Sequence, residues 1–496
     1  MMKRFFALLI TLVLLLSCAC AEEAAETDHS QDPEAVLQHS AVIQGQDVEY
    51  TTTTGFMTVE TANGACEMFY MAYTLNGVED LSQRPVTFAF NGGPGSSSEW
   101  LHMGFLSPKR IDVDENGQAA SFPVAVVNNE YSILDLTDLV FIDPVGTGYS
   151  VPAEGVDLDA FMGYDKDVSS VGAFIRQYAS RNGRWLSPKY LAGESYGTTR
   201  AVGLAKYLSD TYSMDLNGII LISCIHNFTV QMDAGTPGDL AYALYLPTYT
   251  ADAWYHKKLD ERYQQMPLEE LLKEARAFAG GEYLSALFKG RSLGDEERDA
   301  VAAKMAALSG MDKEQVLKAD LRVQYPDFCQ MLLADQKLVI GRIDGRYTGP
   351  AVGGSMADGV SDPSNMALAG IFGAAINQYI KEELGYHTDR LYEPLSLDVN
   401  GRWSFPDDFG SGFTQEDIIR EIMSKNKFLK IWVQCGYYDL ATPFFATEWG
   451  FNHVFINQDA EERLKFSHYQ SGHMFYMHEP SLKQFREEAE KWYRGE

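Results

Sequence analysis

The chain holds 496 residues, 46% of them hydrophobic, which is enough to bury one large core or two ordinary ones and excludes an intrinsically disordered protein. Its 69 acidic and 40 basic residues give a formal charge of -29, a balance that argues against nucleic acid and anionic lipid as partners. Of the six cysteines, Cys66, Cys224, Cys329 and Cys435 lie beyond the N-terminal apolar segment; none sits in a C-x-x-C pair or near a histidine cluster with metal spacing, so no metal site is expected.

Residues 1–21 read as an export signal: Lys3 and Arg4 precede an apolar run from Phe5 to Leu16, and small residues follow. Ala19-Cys20-Ala21 fits cleavage before Glu22, while Leu15-Leu16-Ser17-Cys18 also fits a bacterial lipobox that would leave a lipid anchor on Cys18. Simple cleavage is the favoured reading, and either gives an exported protein, secreted or held at the surface of a bacterium. Residues 22–40 are acidic and read as a flexible leader. No other apolar run approaches the length that spans a bilayer.

From Ala41 to Tyr73, alternating stretches such as Phe56-Met57-Thr58-Val59 predict antiparallel strands. The pattern then changes. Val86 to Phe90, Leu139 to Ile142, Tyr190 to Ala192, Ile219 to Ser223 and Lys430 to Gln434 are nearly continuous apolar runs, as in strands covered on both faces. Helical patterns at Val168 to Tyr178 and Arg200 to Leu208 lie between them, which predicts a mainly parallel α/β sheet. Cys224 and Cys435 end two of these runs and read as buried thiols, whereas the pairing of four exported cysteines stays open. Residues 41–226 and 371–496 then form the two parts of one core. Between them, 227–370 loses the strand pattern and gains charged helical segments, notably Leu268 to Ala279 and Asp295 to Leu308, and reads as an inserted helical cap over one sheet edge.

Gly193-Glu194-Ser195-Tyr196-Gly197 joins a strand-like run to a helical one, the setting of a nucleophile elbow. A serine hydroxyl needs an imidazole to take its proton and a carboxylate to orient that imidazole. Asp439 follows the buried run that ends near Gln434, and His473 lies in the small-residue loop Ser471-Gly472-His473-Met474 ahead of a helix from Pro480 to Tyr493. Among the 10 histidines, His453 begins a strand-like run, and His468 and His478 read as surface residues. Asn91-Gly92-Gly93-Pro94-Gly95-Ser96-Ser97-Ser98 follows the first core strand, where backbone N–H groups stabilise an oxyanion; Tyr196 N–H supplies the second donor. That turn lacks both G-x-x-x-x-G-K-[ST] and G-x-G-x-x-G, which disfavours a phosphate cradle.

With those segments, Asp143-Pro144-Val145-Gly146-Thr147-Gly148-Tyr149-Ser150 and the Asp439 and His473 loops in the same order, the chain resembles the serine carboxypeptidase family of α/β-hydrolases, peptidase family S10. Gly436-Tyr437-Tyr438-Asp439-Leu440-Ala441-Thr442-Pro443 and Gly472-His473-Met474 resemble its bacterial branch. The resemblance implies an α/β-hydrolase fold with a mainly parallel central sheet, N-terminal antiparallel strands and an inserted helical cap. It implies Ser195 as nucleophile, His473 as base, Asp439 as orienting carboxylate and Gly93 with Tyr196 as oxyanion donors, without a metal or cofactor. Asn91, the Gly92 backbone and Glu194 would bind the free carboxylate of a peptide, which requires a protonated Glu194 and implies a preference for acidic pH. A glutamate there is also stabilised by a helix N-terminus without any ligand.

Two positions depart from the family pattern: Ser96 stands where many eukaryotic members have a disulfide cysteine, and Phe105 stands where a second carboxylate-binding glutamate is expected. The fold also accommodates esterases, aminopeptidases and acyltransferases, and an exported peptide-binding protein without catalysis is the competing class.

Overall fold

Strands that are apolar at every position need cover on both faces, and the chain supplies it from two directions. The computed structural model describes residues 34–231, 238–351, 362–406 and 412–495. The export signal of 1–21, with its alternatives at Cys18 and Ala21, lies outside the described residues.

Among the described residues, ten strands form one sheet: β1 (Ala35–Ile43), β2 (Gln46–Thr61), β3 (Gly64–Leu75), β4 (Val86–Phe90), β5 (Asp138–Ile142), β6 (Val151–Pro152), β7 (Lys189–Glu194), β8 (Gly218–Ile222), β9 (Lys430–Gly436) and β10 (Leu464–Tyr469). The spatial order is β1-β2-β3-β5-β4-β7-β8-β9-β10, with β6 also paired to β3. Strands β1, β2, β3 and β5 pair antiparallel in succession, and from β5 through β4, β7, β8 and β9 to β10 every pairing is parallel. The mainly parallel sheet with an antiparallel N-terminal wing is therefore present.

Alternate residues of each central strand enter opposite cores. Ile219, Leu221, Ile431 and Val433 pack with α1 (Tyr164–Arg181) and α2 (Tyr196–Tyr212), through Val171, Phe174, Val202 and Leu204. Ile220, Ile222 and Trp432 face the other way, against Phe372 and Ile376 and against the C-terminal helix through Phe485 and Trp492.

Between β8 and β9 the chain builds α3 (Asp239–Tyr255), α4 (Leu268–Phe278), α5 (Asp295–Ser309), further short helices and an antiparallel hairpin of Leu338–Ile340 with Thr348–Pro350. These helices enclose an apolar cluster of their own, including Tyr249, Leu271, Phe278, Met305 and Phe328, which Leu440 joins from the loop after β9. The segment then continues into α6 (Pro363–Glu382), followed near the C-terminus by α7 (Phe444–Asn452) and α8 (Glu479–Arg494).

Two expected boundaries move. Residues 35–40, assigned to the flexible leader, belong to β1: each residue from Ala35 to Ile43 has a β2 partner, running from Ala35 opposite Thr54 to Ile43 opposite Gln46. Only Ala41 and Ile43 of this strand are buried, whereas Val36 and Leu37 are exposed, so its edge position gave the sequence little apolar alternation to reveal. A cap ending at 370 would cut through α6. Leu368, Ile371, Phe372, Ala375, Ile376, Tyr379 and Ile380 form one helical stripe buried on the main sheet, so this helix belongs to the core. His453 caps the end of α7 and starts no strand; the next strand, β10, begins at Leu464.

Candidate active site

Strand β7 ends at Glu194 and α2 begins at Tyr196, which leaves Ser195 alone to reverse the chain. It does so at φ 59° and ψ -128°, a conformation costly for a residue with a side chain, and its amide is secured by donation to Ile222 O at 3.0 Å. The elbow closes so tightly that a Cβ on Gly193 would run into Gly197 O, and one on Gly197 would lie 2.8 Å from Phe90 O. Those contacts are the physical reason for the two motif glycines.

The same crowding brings in the turn after β4. A Cβ on Gly92 would strike the Tyr196 amide nitrogen and lie 2.7 Å from both Glu194 O and Gly197 N, so only glycine lets this turn touch the elbow. Gly93, at φ 98°, is therefore one residue from the contact with Tyr196. Beneath them, buried Arg200 donates to Asp167 at 2.8 Å and to Asn91 O at 2.6 Å, tying α1, α2 and the turn together. Above them, Ser96 and Gly148 bridge to Leu395 and Glu393, and the Tyr196 ring meets Trp403 edge-on at 5.2 Å.

His473 reaches the same place from the loop after β10. Ser223, next to the Ile222 that holds Ser195, donates its hydroxyl to His473 O at 2.5 Å, while His473 N donates to Ile343 O at 2.7 Å. The ring Nδ1 lies 2.8 Å from Asp439 Oδ2. Asp439 is fully buried and accepts from Ala441 N, Thr442 N and Thr442 Oγ1 at 2.8, 2.9 and 2.6 Å. Burial alone would push this carboxyl up, but the His473 charge and these donors hold it below its ordinary range. For His473, burial opposes the imidazolium, yet the Asp439 carboxylate outweighs it and raises the ring above its ordinary value.

Glu194 faces the opposite balance. It is buried and accepts a hydrogen bond from Tyr476 Oη at 2.7 Å and another from the Asn91 side chain. Burial dominates even so, and its carboxyl is pushed up to about 7. Asn91 is also anchored, since its Oδ1 accepts from Leu101 N at 3.0 Å. Phe105 is fully buried and contributes only a ring, stacked on Tyr476 with centroids 4.7 Å apart and planes at 10°.

The structure thus gathers Asn91, Gly92, Gly93, Glu194, Ser195, Tyr196, Asp439 and His473. Three other histidines are engaged elsewhere: His453 with Trp449 O at 2.7 Å, His468 with Glu448 at 2.7 Å and His478 with Ser481 at 2.8 Å. Motif reading missed Tyr476 and Thr442, and it also missed the Asp344–Arg346 pair that grips the His473 loop. Gly472 N donates to Asp344 at 3.1 Å, and Arg346 donates to Ser471 Oγ at 2.9 Å. Only the proximity of Thr442 and Tyr476 to Asp439 and His473 in sequence signals any of them. The four cysteines Cys66, Cys224, Cys329 and Cys435 are buried and unpaired.

A family model described as serine carboxypeptidase matches residues 43–311. Serine carboxypeptidase-like 33 of Arabidopsis thaliana is 31% identical over 222 residues, covering 42% of this chain and 41% of that protein. The pheromone-processing carboxypeptidase KEX1 of Yarrowia lipolytica is 29% identical over 181 residues, 35% of this chain and 26% of that protein. The chain thus matches well under half the length of these curated relatives. Among solved structures, a prohormone-processing carboxypeptidase of Saccharomyces cerevisiae, Kex1(delta)p, superposes with a TM-score of 0.57 over 90% of this chain and 91% of its own, at 16% identity. That likeness establishes the α/β-hydrolase fold.

Proposed function

We infer that this chain, which belongs to the serine carboxypeptidase family, removes single residues from peptide C-termini through an acyl-enzyme on Ser195. The observation that carries this reading is the juxtaposition of a strained elbow serine with a buried His473–Asp439 pair and, one residue from the serine, a buried Glu194 held near neutrality.

In this mechanism Ser195 Oγ attacks the scissile carbonyl carbon and its proton passes to His473 Nε2, the ring nitrogen not committed to Asp439. The N–H groups of Gly93 and Tyr196 stabilise the oxyanion. His473 then gives the proton to the departing amine, the C–N bond breaks, and the acyl group remains on Ser195. Water repeats the sequence: it loses a proton to His473, adds to the ester carbonyl, and the acyl–oxygen bond breaks as the proton returns to Ser195.

Asn91, the Gly92 backbone and protonated Glu194 receive the free carboxylate of the departing residue. Because an ionised Glu194 would repel that carboxylate, peptides are cleaved at more acidic pH than substrates without one. Lys3, Arg4 and the apolar run to Leu16 support export, and the Gly436–Pro443 and Gly472–Met474 segments support placement in the bacterial branch. The mass of the mature N-terminus separates a chain starting at Glu22 from one lipidated at Cys18.

Digestion of a peptide mixture with mass readout tests the activity. Stepwise trimming of C-termini, with a serine-directed phosphonate labelling the wild type and not Ser195→Ala, is the expected result. Internal cleavage, or equal labelling of the variant, contradicts it.

A further inference from the structure

Buried Glu194 lies beside an aromatic cluster. Phe105 stacks on Tyr476, packs against Phe475 at 5.2 Å and Phe485 at 4.4 Å between centroids, and is itself fully buried. Gly104 presses on the other ring: a Cβ there would lie 2.8 Å from Tyr476 Cε2 and 3.0 Å from Phe372 Cζ. The Tyr476 ring is thus packed against Phe105 and Gly104, and its hydroxyl donates to Glu194 Oε2 at 2.7 Å.

We propose that Tyr476 is the positioning residue of the carboxylate-binding pocket: Phe105 and Gly104 fix its ring, and its hydroxyl sets the orientation in which the Glu194 carboxyl meets the C-terminal carboxylate of a peptide. The proposal rests on the carboxypeptidase reading of the site. A phenol donor favours the ionised form of the carboxyl it contacts, so it works against burial and keeps Glu194 from holding its proton far above neutrality. The other groups facing Glu194 are His473, whose positive form also favours ionisation, Asp439, whose charge opposes it, and the Asn91 amide. Across the phenol lies Glu99 on the short helix Glu99–Leu101, fully buried and pushed up to about 8 by that burial and by Asp143.

The test is a pH series of kcat and KM for Tyr476→Phe on a blocked dipeptide and on a blocked amino-acid ester. Loss of a hydrogen bond to a carboxyl raises KM for the dipeptide by about tenfold with a much smaller change in kcat. The alkaline fall of dipeptide kcat/KM shifts to higher pH, because Glu194 keeps its proton longer. Phe105→Leu, which leaves the hydroxyl but frees the ring, is expected to raise KM in the same direction by less.

If wild-type enzyme cleaves the dipeptide and its C-terminal amide equally well, the carboxylate pocket and this role fall together. If wild type discriminates and Tyr476→Phe leaves both KM and the alkaline limb in place, the role alone is overturned. A loss of kcat on dipeptide and ester alike overturns it too, since the phenol would then act on the triad or the fold.

Discussion

Asp439 and Glu194 are buried carboxyls at the same serine, yet their surroundings drive them in opposite directions. Asp439 sits in a loop that turns two backbone N–H groups, a threonine hydroxyl and an imidazole toward it. Glu194 sits at the end of a central strand, with one phenol and one amide as neutral donors. Both pay for leaving water, but only Asp439 gains a close, directly bonded partner that carries positive charge, and it stays ionised while Glu194 is pushed up to about 7. Burial alone therefore does not decide the role of a carboxyl; the number and charge of its donors do. One is suited to orient a base, the other to donate a hydrogen bond to an anion.

The same chemical edit at the two sites should expose that difference. Asp439→Asn keeps the shape but removes the charge that holds the His473 tautomer, and kcat is expected to fall by ~10³–10⁴-fold on peptide and ester alike. Gly92→Ala breaks the ground the two sites share. Its Cβ would strike the Tyr196 amide, and displacing that amide, the proposed oxyanion donor, is expected to lower kcat by roughly 10²–10³-fold on every substrate.

Glu194→Gln should act on one class only, raising KM for free-carboxylate peptides by ~10–100-fold. It should also abolish the fall in peptide kcat/KM that wild type shows as pH rises through about 7. The acid limb belongs to His473, which the Asp439 carboxylate raises from its ordinary value, and it should survive in the same profile. Thr442→Val is the mildest test. Losing the hydroxyl 2.6 Å from Asp439 Oδ2 is expected to cost about tenfold in kcat and leave peptide KM unchanged.

The motif residues were legible because tight backbone geometry dictates them. Gly193, Gly197 and Gly92 are fixed by close approach, and the order of Ser195, Asp439 and His473 follows from strand ends that continuous apolar runs reveal. Residues that act through distant side chains leave no such mark. Tyr476 lies 282 positions from its partner Glu194, and Asp344 lies 128 from Gly472, so neither pairing follows from local pattern. Phe105 is marked by the family resemblance as the place of an expected glutamate, but its stack on Tyr476 is visible only in the structure. The edges of the fold were equally quiet. Strand β1 buries only Ala41 and Ile43, and the buried stripe of α6 runs across the expected boundary at 370 without any break in the sequence to mark it.

The central claim is that the pocket around Glu194 makes this serine selective for a free C-terminus. The most direct measurement compares kcat/KM on one blocked dipeptide and its C-terminal amide at pH values below and above 7. The account predicts a preference for the free acid that is large at acidic pH, shrinks as Glu194 ionises and vanishes in Glu194→Gln. Equal rates on acid and amide throughout that range would contradict it.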